Sequence, residues 1–498
     1  MTARNGGAYL ERLRTHSPEL WVGSEKIVDV VGHPATAGAA AEIARLYDLQ
    51  CEDGNEDMLF EPADGDGPVG VQFLEPRSRE DLEQRHAMHK KWADSTLGMM
   101  GRTTDFVSAM LMAWNANADF FGDNADKVRD YFRHVRDNDL FLSHAIADPP
   151  VDRSKSASQQ PDPYTYLGVK EQTAEGLIVS GAKMLATAAP YSDEILVWPF
   201  SLRKFAPEEK PYAIAFAIPT DAPGVRLICR EPFGGGNAFD QPLSSRFDEM
   251  DAVVVFDDVL VPWDRVFINQ DYERVNRIWE INSNAFTGAQ TSVRLMAKLQ
   301  FVAGLAKRAT EVVKTDQFPQ VRDALGEIST YIELTRAAIL ASEAGATPNQ
   351  DGVLFPDLRP LYAIRNSGNR WYPRVREILQ QILAGGLLYQ PADVSAFDSP
   401  IASDLAKFYR GPDNSSVERI SVFKVAADLA VSAFGGRHEL YERFYAGDPM
   451  FLRINTQFNQ YDWTEPLGLI DGLLATSAEH ARTAGSAEPD RTDGGAAA

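Results

Sequence analysis

The strand-forming segments of this 498-residue chain are concentrated in one stretch near its middle. Five short runs there are rich in β-branched and aromatic residues, and Gly, Pro, Asp or Asn separate them, as is typical of strands joined by tight turns. The runs are GLIVSG (176–181), DEILVWPF (193–200), YAIAFAIP (212–219), GVRLICRE (224–231) and AVVVFDDVLVP (252–262). This spacing predicts a β-barrel or sandwich of roughly 110 to 130 residues, around which the rest of the fold must be arranged.

Helix-forming segments flank this stretch on both sides. Apolar residues recur with the helical period in four segments before it and four after it: 5–20, 36–49, 78–95, 102–120, 285–311, 319–344, 371–385 and 414–434. We therefore predict an α+β fold with an N-terminal helical domain (1–140), a central β domain (141–270) and a C-terminal helical bundle (271–475). The small and polar residues of 476–498 predict a disordered tail.

The charge of the chain excludes several classes of protein. It has 71 acidic and 49 basic residues, a formal charge of −22, and so acidic a surface repels nucleic-acid phosphates and anionic lipid. An anionic ligand must therefore be bound by a local cluster of Arg or His.

The two cysteines, Cys51 and Cys229, are too few for a disulfide scaffold or a four-thiolate zinc site. With no apparent signal peptide and no apolar run of about 18 residues, we predict a cytoplasmic protein without nucleic-acid or membrane partners.

The motifs of common nucleotide and zinc sites are missing from the sequence. The run GGG at 234–236 precedes Asn237 and reads as a loop, and there is no GxxxxGK[ST] phosphate loop and no CxxC pair. His438 and Glu439 begin an HExxH pattern, but Glu442 stands where the second His is needed. The sequence therefore predicts no metal site, although a flavin can be bound by folds that lack the Rossmann fingerprint.

Five longer motifs follow one another in a recognisable order. They are GRTTDF (101–106), HAIADPPVDRSKS (144–156), GLIVSGAKMLATAAPYSDE (176–194), DQPLSSRFDEMDAVVVFDDVLVPWDRVF (240–267) and AFGGRHELYERFYAGDP (433–449). They resemble the 4-hydroxyphenylacetate 3-monooxygenase family, the oxygenase components of two-component flavin-dependent phenol hydroxylases, from about Gly6 to about Leu474. The resemblance implies an acyl-CoA dehydrogenase-like fold, with an α-helical domain, a central β-barrel domain and a C-terminal four-helix bundle, in a homotetramer.

The resemblance implies a substrate site formed by Arg102, Phe106 and His144. Arg102 and His144 match the family residues that contact the phenol hydroxyl, and a neighbouring cation lowers the pKa of a phenol. Phe106 stands where family members that act on 4-hydroxyphenylacetate carry Tyr. The replacement of Tyr by Phe removes a hydrogen bond of about 0.5–1.5 kcal/mol, so we predict a differently substituted phenol as substrate. Without the resemblance, the sequence favours a surface Arg102 paired with Asp105 and a structural His144.

The second motif also implies contacts with FAD. His144 lies near the flavin in the family, and Pro150, Val151, Asp152 and Arg153 match a flavin-contacting stretch in which Gln is usual at position 150. Proline has no backbone N–H to donate, so this departure removes a contact. Arg153 suits the pyrophosphate, because guanidinium donates in pairs to phosphate oxygens. The alternative is that the carboxylate and guanidinium at 152 and 153 only order a turn.

Two further segments are implied to approach the flavin. Thr187 matches a Thr whose hydroxyl bonds flavin N5 or a nearby atom; the alternative is an ordinary strand residue, and Lys183 reads as solvated. Backbone at Gly447, Asp448 and Pro449 matches a stretch that lies against the flavin. The preceding glycines, at 435–436, either approach the flavin too or cap the helix 414–434 at its C-terminus.

These matches imply an FADH2-dependent monooxygenase with O2 as co-substrate and a separate NAD(P)H:flavin reductase as partner. A flavin C4a-hydroperoxide would hydroxylate a 4-hydroxyphenyl substrate ortho to its hydroxyl, giving a catechol. The substrate is either free, like 4-hydroxyphenylacetate, or a tyrosine-derived unit tethered to a carrier protein.

Three alternatives share the implied fold. An acyl-CoA dehydrogenase-like oxidoreductase is disfavoured, because Ala446 stands where some such enzymes place the catalytic Glu. A 4-hydroxybutyryl-CoA dehydratase relative is disfavoured by the two cysteines, because its iron–sulfur cluster usually needs three. A non-catalytic binding protein stays open.

Overall fold

A computed structural model of the chain describes residues 3–65, 67–199 and 204–485. Helices and strands follow in the predicted order, which confirms a mixed helix and sheet fold. The helices before the main sheets are α1 (Gly6–Thr15), α2 (Ala37–Cys51), α3 (Arg79–Ser95), α4 (Thr104–Ala116) and α5 (Ala125–Asp137). The first four lie within a few residues of predicted segments, and α5 was not predicted.

Side-chain caps explain where two of these helices begin. The Asn5 side chain accepts a hydrogen bond from the backbone N–H of Ala8 at 2.9 Å, which satisfies one of the free donors at the start of α1. Ser78 and Asp81 form a reciprocal capping box at the start of α3.

The described strands form two main sheets. The first has the order β2 (Glu25–Ile27), β1 (Glu19–Val22), β10 (Val225–Cys229), β11 (Asp251–Pro262), β7 (Gly176–Thr187) and β6 (Gly168–Gln172). The second has the order β12 (Val266–Ile268), β9 (Ala215–Pro219), β8 (Glu194–Val197) and β5 (Leu142–Ala145). Two short pairs lie outside them: β3 (Leu59–Phe60) with β4 (Val69–Gly70), and β13 (Thr347–Pro348) with β14 (Leu354–Phe355).

The predicted closed β-barrel is wrong for the described residues. Both sheets are open, because β2 and β6 end the first one and β12 and β5 end the second one. The sheets meet through apolar side chains such as Phe216 on β9 and Phe256 on β11, whose ring centroids are 5.9 Å apart. The first sheet is extended by β1, which pairs in parallel with β10 and comes from the N-terminal region. This pairing of distant segments could not be read from the strand runs.

The C-terminal region is helical, as predicted. Its long helices are α8 (Asn284–Val312), α9 (Pro319–Ala344), α10 (Leu358–Leu383), α12 (Ser416–Ala430) and α13 (Ala433–Phe444), and its short ones are α7 (Tyr272–Asn276) and α11 (Ala402–Phe408). A further short helix, α6 (Ser244–Phe247), lies between β10 and β11. Helix α8 is buried, as its sequence predicts, and packs against α9, α10 and α12 and against α3 and α4. Every helix of the described segments is too short or too polar to cross a bilayer.

The predicted helix C-cap at Gly435 and Gly436 is wrong. Helix α12 ends earlier, and both glycines lie in the first turns of α13, where the Gly435 N–H donates to the Ser432 side chain at 3.0 Å. A Cβ on Gly435 would overlap the carbonyl oxygen of Leu429. Glycine is therefore needed at 435 because two helix ends approach each other closely there.

The described residues from Gly447 to Gly485 form a second compact unit, and the described residues up to Ala446 form the first. Its described elements are α14 (Pro449–Leu452), a π-helical turn over Arg453–Phe458 and α15 (Thr464–Gly485). Part of the predicted disordered tail is helical, because α15 extends to Gly485; residues 486–498 lie outside the described residues. Along this unit, large apolar side chains are exposed, among them Phe458, Leu469 and Leu473.

Replacement of the two adjacent glycines of α13 tests this packing. We expect Gly435→Ala to lower the free energy of unfolding by about 1–3 kcal/mol, because the added methyl group overlaps backbone that cannot move easily. Gly436→Ala is the matched control, since nothing lies within 4 Å of its Cβ position and alanine favours the helix by up to about 1 kcal/mol. Thermal and urea unfolding measure the difference, and equal stability of the two variants would contradict it.

Candidate active site

Arg102 lies in the turn that leads into α4, and the structure does not pair it with Asp105. The Asp105 carboxylate is buried and accepts hydrogen bonds from Thr103 Oγ at 2.5 Å, from His89 Nδ1 at 2.7 Å and from Gln290 Nε2 at 3.2 Å. These contacts anchor the start of α4 to α3 and α8. The alternative prediction, a surface Arg102 paired with Asp105, is therefore wrong.

The Arg102 guanidinium is buried among neutral partners. Nη1 donates to the Tyr441 hydroxyl at 2.5 Å and to the Gly101 carbonyl at 3.3 Å, and Nη2 donates to the Tyr445 carbonyl at 3.2 Å. The Phe106 ring centroid lies 3.8 Å from Cζ, a close cation–π contact. Nε has no hydrogen-bond partner among the described residues, and no carboxylate oxygen there lies within 4.0 Å of the guanidinium.

His144 lies on β5 and faces the same aromatic ring. Its imidazole meets Phe106 edge to face at 5.7 Å between centroids, and meets Trp198 in the same way at 5.9 Å. Burial, helped by the positive charge of Arg102, lowers the pKa of His144 to about 3, so the imidazole is neutral at physiological pH. Its Nδ1 is buried and has no described hydrogen-bond partner.

The structure therefore brings Arg102, Phe106 and His144 together from two separate motifs. Both polar groups lie within 6 Å of the Phe106 ring centroid. Buried donors and acceptors are normally satisfied, because an unsatisfied one costs about 1–3 kcal/mol. Arg102 Nε and His144 Nδ1 are thus suited to a polar ligand atom held beside an aromatic wall.

Thr187, at the end of β7, is held by a buried carboxylate. Its hydroxyl donates to Asp251 Oδ1 at 2.6 Å, across the pairing of β7 with β11. Arg437 and Arg230 also donate to Asp251, at 2.8 Å each. Burial alone would raise the pKa of Asp251, but these two cations hold it below its ordinary value. Thr187 lies beside β5, the strand that carries His144, because the Thr187 carbonyl accepts a hydrogen bond from Ser143 Oγ at 2.9 Å.

Residues 150–153 form an exposed loop after β5. Pro150 and Arg153 are exposed, and Val151 is 65% exposed. The Asp152 carboxylate accepts hydrogen bonds from Ser154 N at 3.0 Å and Ser154 Oγ at 2.6 Å, so it orders a turn. In the part of the chain that the structure describes, no hydrogen bond or ion pair joins this loop to Arg102 or His144.

Lys183 is buried on β7. The predicted solvation of Lys183 is wrong, because its side chain is 4% exposed and pairs with Asp148 at 2.6 Å.

Gly447, Asp448 and Pro449 begin the second unit. Asp448 Oδ1 caps α14 by accepting a hydrogen bond from Phe451 N at 2.8 Å. Their role toward a flavin stays a prediction.

Two tyrosines and one glutamate that hold Arg102 were not predicted from the sequence. Tyr441 and Tyr445 lie one helical turn apart and stack at 5.5 Å between ring centroids, while Glu249 accepts from the backbone N–H groups of Gly101 and Arg102. A signal was present, because Arg437, Tyr441 and Tyr445 are spaced four residues apart in the last motif and so share a helix face.

Beneath these tyrosines lies a second cluster of buried charges. Glu442 binds Arg294 through two contacts of 2.6 and 2.8 Å, and binds Lys298 at 2.9 Å. Although burial opposes it, the two cations lower the pKa of Glu442 to about 2. Burial lowers the pKa of Lys298 to about 8, and Lys298 contacts His438 Nδ1 at 3.0 Å. The cluster fastens α13 to α8, and its Arg294 guanidinium carbon lies 5.3 Å from the centroid of the Tyr441 ring.

Comparison with known proteins identifies the family. The family model described as "4-hydroxyphenylacetate 3-hydroxylase N terminal" matches residues 5–268, and its C-terminal counterpart matches residues 275–475. The chain is 42% identical to the 4-hydroxyphenylacetate 3-monooxygenase oxygenase component of Thermus thermophilus, over 92% of this chain and 95% of the relative.

Two further similarities bear on the site. The chain is 35% identical to the Streptomyces globisporus (3S)-3-amino-3-(3-chloro-4-hydroxyphenyl)propanoyl-[peptidyl-carrier protein SgcC2] monooxygenase, over 91% of this chain and 88% of the relative. A crystal structure of the oxygenase component of 4-hydroxyphenylacetate 3-monooxygenase, complexed with FAD and 4-hydroxyphenylacetate, superimposes with a TM-score of 0.91 at 41% identity, over 96% of this chain and 99% of that one. The chain therefore belongs to the 4-hydroxyphenylacetate 3-hydroxylase family.

Proposed function

We propose that this chain is the oxygenase component of a two-component, FADH2-dependent monooxygenase that hydroxylates a 4-hydroxyphenyl substrate ortho to its hydroxyl, giving a catechol. The observation that carries this proposal is Arg102, a buried cation whose described side-chain partners are all neutral. A buried charge without a counter-charge is costly. The site therefore favours an anionic occupant, and a phenolate is the anion that this reaction needs.

Arg102 acts on the substrate by stabilising its ionised form. A phenol has a pKa of about 10, and a cation beside it lowers that value by roughly 1–3 units. The phenolate donates more electron density to the ortho carbon than the phenol does, so it reacts faster with electrophilic oxygen. The Nε–H of Arg102 and the second N–H of Nη2 are the donors that remain for the phenolic oxygen, since the other three N–H groups already donate to protein oxygens.

His144 fixes the same oxygen from a second direction. Because its pKa is about 3, the neutral imidazole donates or accepts one hydrogen bond without adding charge. Phe106 and Trp198 line the ring of His144 and exclude water, which would otherwise compete for the oxygen that enters the substrate.

FAD is the cofactor that the family implies, and the neighbourhood of Thr187 fits it. The Thr187 proton is donated to Asp251, so the lone pairs of the hydroxyl are left to accept a hydrogen bond from an N–H of reduced flavin. We propose that the flavin is held by His144, Pro150, Val151, Asp152, Arg153, Thr187, Gly447, Asp448 and Pro449. When bound, reduced FAD supplies two electrons to O2, so that one oxygen atom enters the ring and the other leaves as water.

A carrier-tethered substrate is the second candidate, with the same chemistry. Phe106 lies under Arg102 at 3.8 Å and has no hydroxyl to bind a small free substrate, which favours a phenol held by other contacts. The Streptomyces globisporus relative is named for a substrate attached to a peptidyl-carrier protein. This resemblance supports a tyrosine-derived substrate on a carrier protein.

The proposed fold and assembly follow the family. We propose an acyl-CoA dehydrogenase-like division into helical, β and four-helix-bundle domains near residues 140 and 270, in a homotetramer. The exposed apolar side chains of the second unit, such as Leu469 at 75% exposure, support burial against other copies of the chain. A separate reductase would supply the reduced flavin from NAD(P)H, and we propose a cytoplasmic location.

Substitution of the buried cation tests the proposal. We expect Arg102→Gln to lower the rate of catechol formation by about 10–100-fold, because a hydrogen bond to a charged group contributes about 1.5–3 kcal/mol. Product analysis with reduced FAD, O2 and a panel of 4-hydroxyphenyl compounds measures this. Arg443→Gln is the control, since Arg443 lies on α13 but forms a half-buried ion pair with Glu439. Wild-type protein that forms only hydrogen peroxide with every phenol would overturn the proposed function.

The depressed pKa of His144 predicts a pH dependence of stability. The imidazole has a pKa of about 6.5 in an unfolded chain and about 3 in the folded one, so the unfolded state binds the proton first as the pH falls. When the pH falls from 8 to 5.5, we expect the free energy of unfolding of wild type to decrease by about 1–1.5 kcal/mol more than that of His144→Gln. Urea unfolding at both pH values measures this, with the exposed His480→Gln as control. A parallel loss in wild type and His144→Gln would contradict it.

Phe106 predicts a difference in substrate affinity. We expect Phe106→Tyr to lower the Kd for 4-hydroxyphenylacetate by about 2–12-fold, because the new hydroxyl adds one hydrogen bond of about 0.5–1.5 kcal/mol. Phe106→Leu, which removes the ring beneath Arg102, should bind more weakly than wild type. Calorimetric titration compares the three proteins, and unchanged affinity of Phe106→Tyr would show that this position does not face the substrate.

A further inference from the structure

Arg102 is aimed chiefly by the hydroxyl of one tyrosine. Among its described hydrogen bonds, the contact of Nη1 with Tyr441 Oη, at 2.5 Å, is the shortest, and the carbonyl contacts with Gly101 and Tyr445 are 3.3 and 3.2 Å long. A guanidinium is planar, so fixing Nη1 and Nη2 also fixes the direction of the Nε–H. Tyr441 therefore controls where the two free donors of Arg102, the Nε–H and the second N–H of Nη2, point.

Tyr441 is itself held rigidly. Its ring stacks on Tyr445, and the Arg294 and Arg437 guanidinium carbons lie 5.3 and 5.2 Å from its centroid. Both of these cations are fixed by carboxylates, Arg294 by Glu442 and Arg437 by Asp251. The ring thus has little freedom to turn, and its hydroxyl keeps one position.

The residue before Arg102 makes this contact possible. A Cβ on Gly101 would overlap the hydroxyl of Tyr441, so a larger residue at 101 would push the tyrosine away from the guanidinium. The backbone N–H groups of Gly101 and Arg102 donate to Glu249, which fastens this turn to the segment just before β11. Glycine at 101 is therefore required by the approach of Tyr441 rather than by the turn.

The chemistry of the acceptor matters as much as its position. Burial raises the pKa of Tyr441 to about 12, although Arg102 and Arg294 oppose the shift, so the hydroxyl is neutral. A carboxylate in this place would hold Arg102 more tightly but would cancel its charge. A neutral hydroxyl positions the cation and leaves its charge for the ligand.

We propose that Tyr441 is a positioning residue that orients Arg102 toward the phenolic oxygen of the substrate while leaving the guanidinium charge uncompensated. This inference rests on the proposed function, because it concerns the substrate contact of Arg102. Tyr441 does not touch the substrate and acts only through the guanidinium.

A matched pair of variants separates this role from packing. Tyr441→Phe removes the hydroxyl that binds Arg102. Tyr331→Phe is the control: this α9 tyrosine also stacks on a second aromatic ring, that of Trp371, and its hydroxyl donates to Glu327 at 2.6 Å. With reduced FAD and O2 we expect catechol formation from 4-hydroxyphenylacetate to fall about tenfold in Tyr441→Phe and to stay within about twofold of wild type in Tyr331→Phe. Equal losses in both variants would overturn the proposal.

Two readouts identify the route through Arg102. In a double-mutant cycle, Tyr441→Phe should add no further loss on an Arg102→Gln background, because the group through which it acts is absent. The loss of rate in Tyr441→Phe should also be smaller for a more acidic phenol such as 4-nitrophenol, because that phenol ionises with less stabilisation from Arg102. Additive losses in the cycle would show that the tyrosine is merely structural and would overturn the inference. The same conclusion would follow if the ratio of the wild-type rate to the variant rate were equal for all phenols.

Failure of the proposed function is distinguishable from failure of this inference. If wild type makes no catechol from any phenol, the proposed function fails and the inference fails with it. If wild type makes catechol and Tyr441→Phe matches it, only the inference fails. Melting temperatures and near-ultraviolet circular dichroism of each full-length variant establish that the losses do not come from unfolding.

Discussion

The unpaired positive charge of Arg102 is the constraint on which the rest of the site depends. Removing a guanidinium from water costs several kcal/mol, and here the compensation is a cation–π contact with Phe106 and hydrogen bonds to neutral oxygens, including that of Tyr441. Such contacts stabilise the cation without cancelling its charge. The remaining attraction for an anion is what suits the site to a phenolate, and it exists only while the surrounding packing holds the guanidinium in place.

The neighbouring buried carboxylates Glu442 and Asp251 are bound by other cations and do not pair with Arg102. Arg294 and Lys298 share Glu442, and Arg230 and Arg437 share Asp251. These pairs join α8, α13 and the first sheet beneath the site, so the charges also fasten the elements that carry Tyr441 and Thr187. In a chain with a formal charge of −22, an anionic ligand needs a local positive site, and this arrangement provides one.

The local patterns of the sequence predicted the elements well, and the motifs predicted part of the site. Helix α9 spans the predicted 319–344, because apolar periodicity and the proline at its start are local signals. Arg102 and His144 were singled out together from separate motifs, and they do converge on the Phe106 ring. The contacts of the 150–153 loop and of Gly447, Asp448 and Pro449 with a flavin stay predictions from the motifs, because they depend on a bound cofactor.

What the sequence by itself determined was therefore the order of helices and strands, the charge balance and the residues that we propose to bind a phenol. Tertiary structure alone decided that the sheets stay open, that Gly435 serves close packing, that Lys183 is buried and that Tyr441 contacts Arg102. The physical reason is separation along the chain: Arg102 and Tyr441 are 339 positions apart. The partner of a buried polar group is chosen by the packing of distant elements, and no local pattern records that choice.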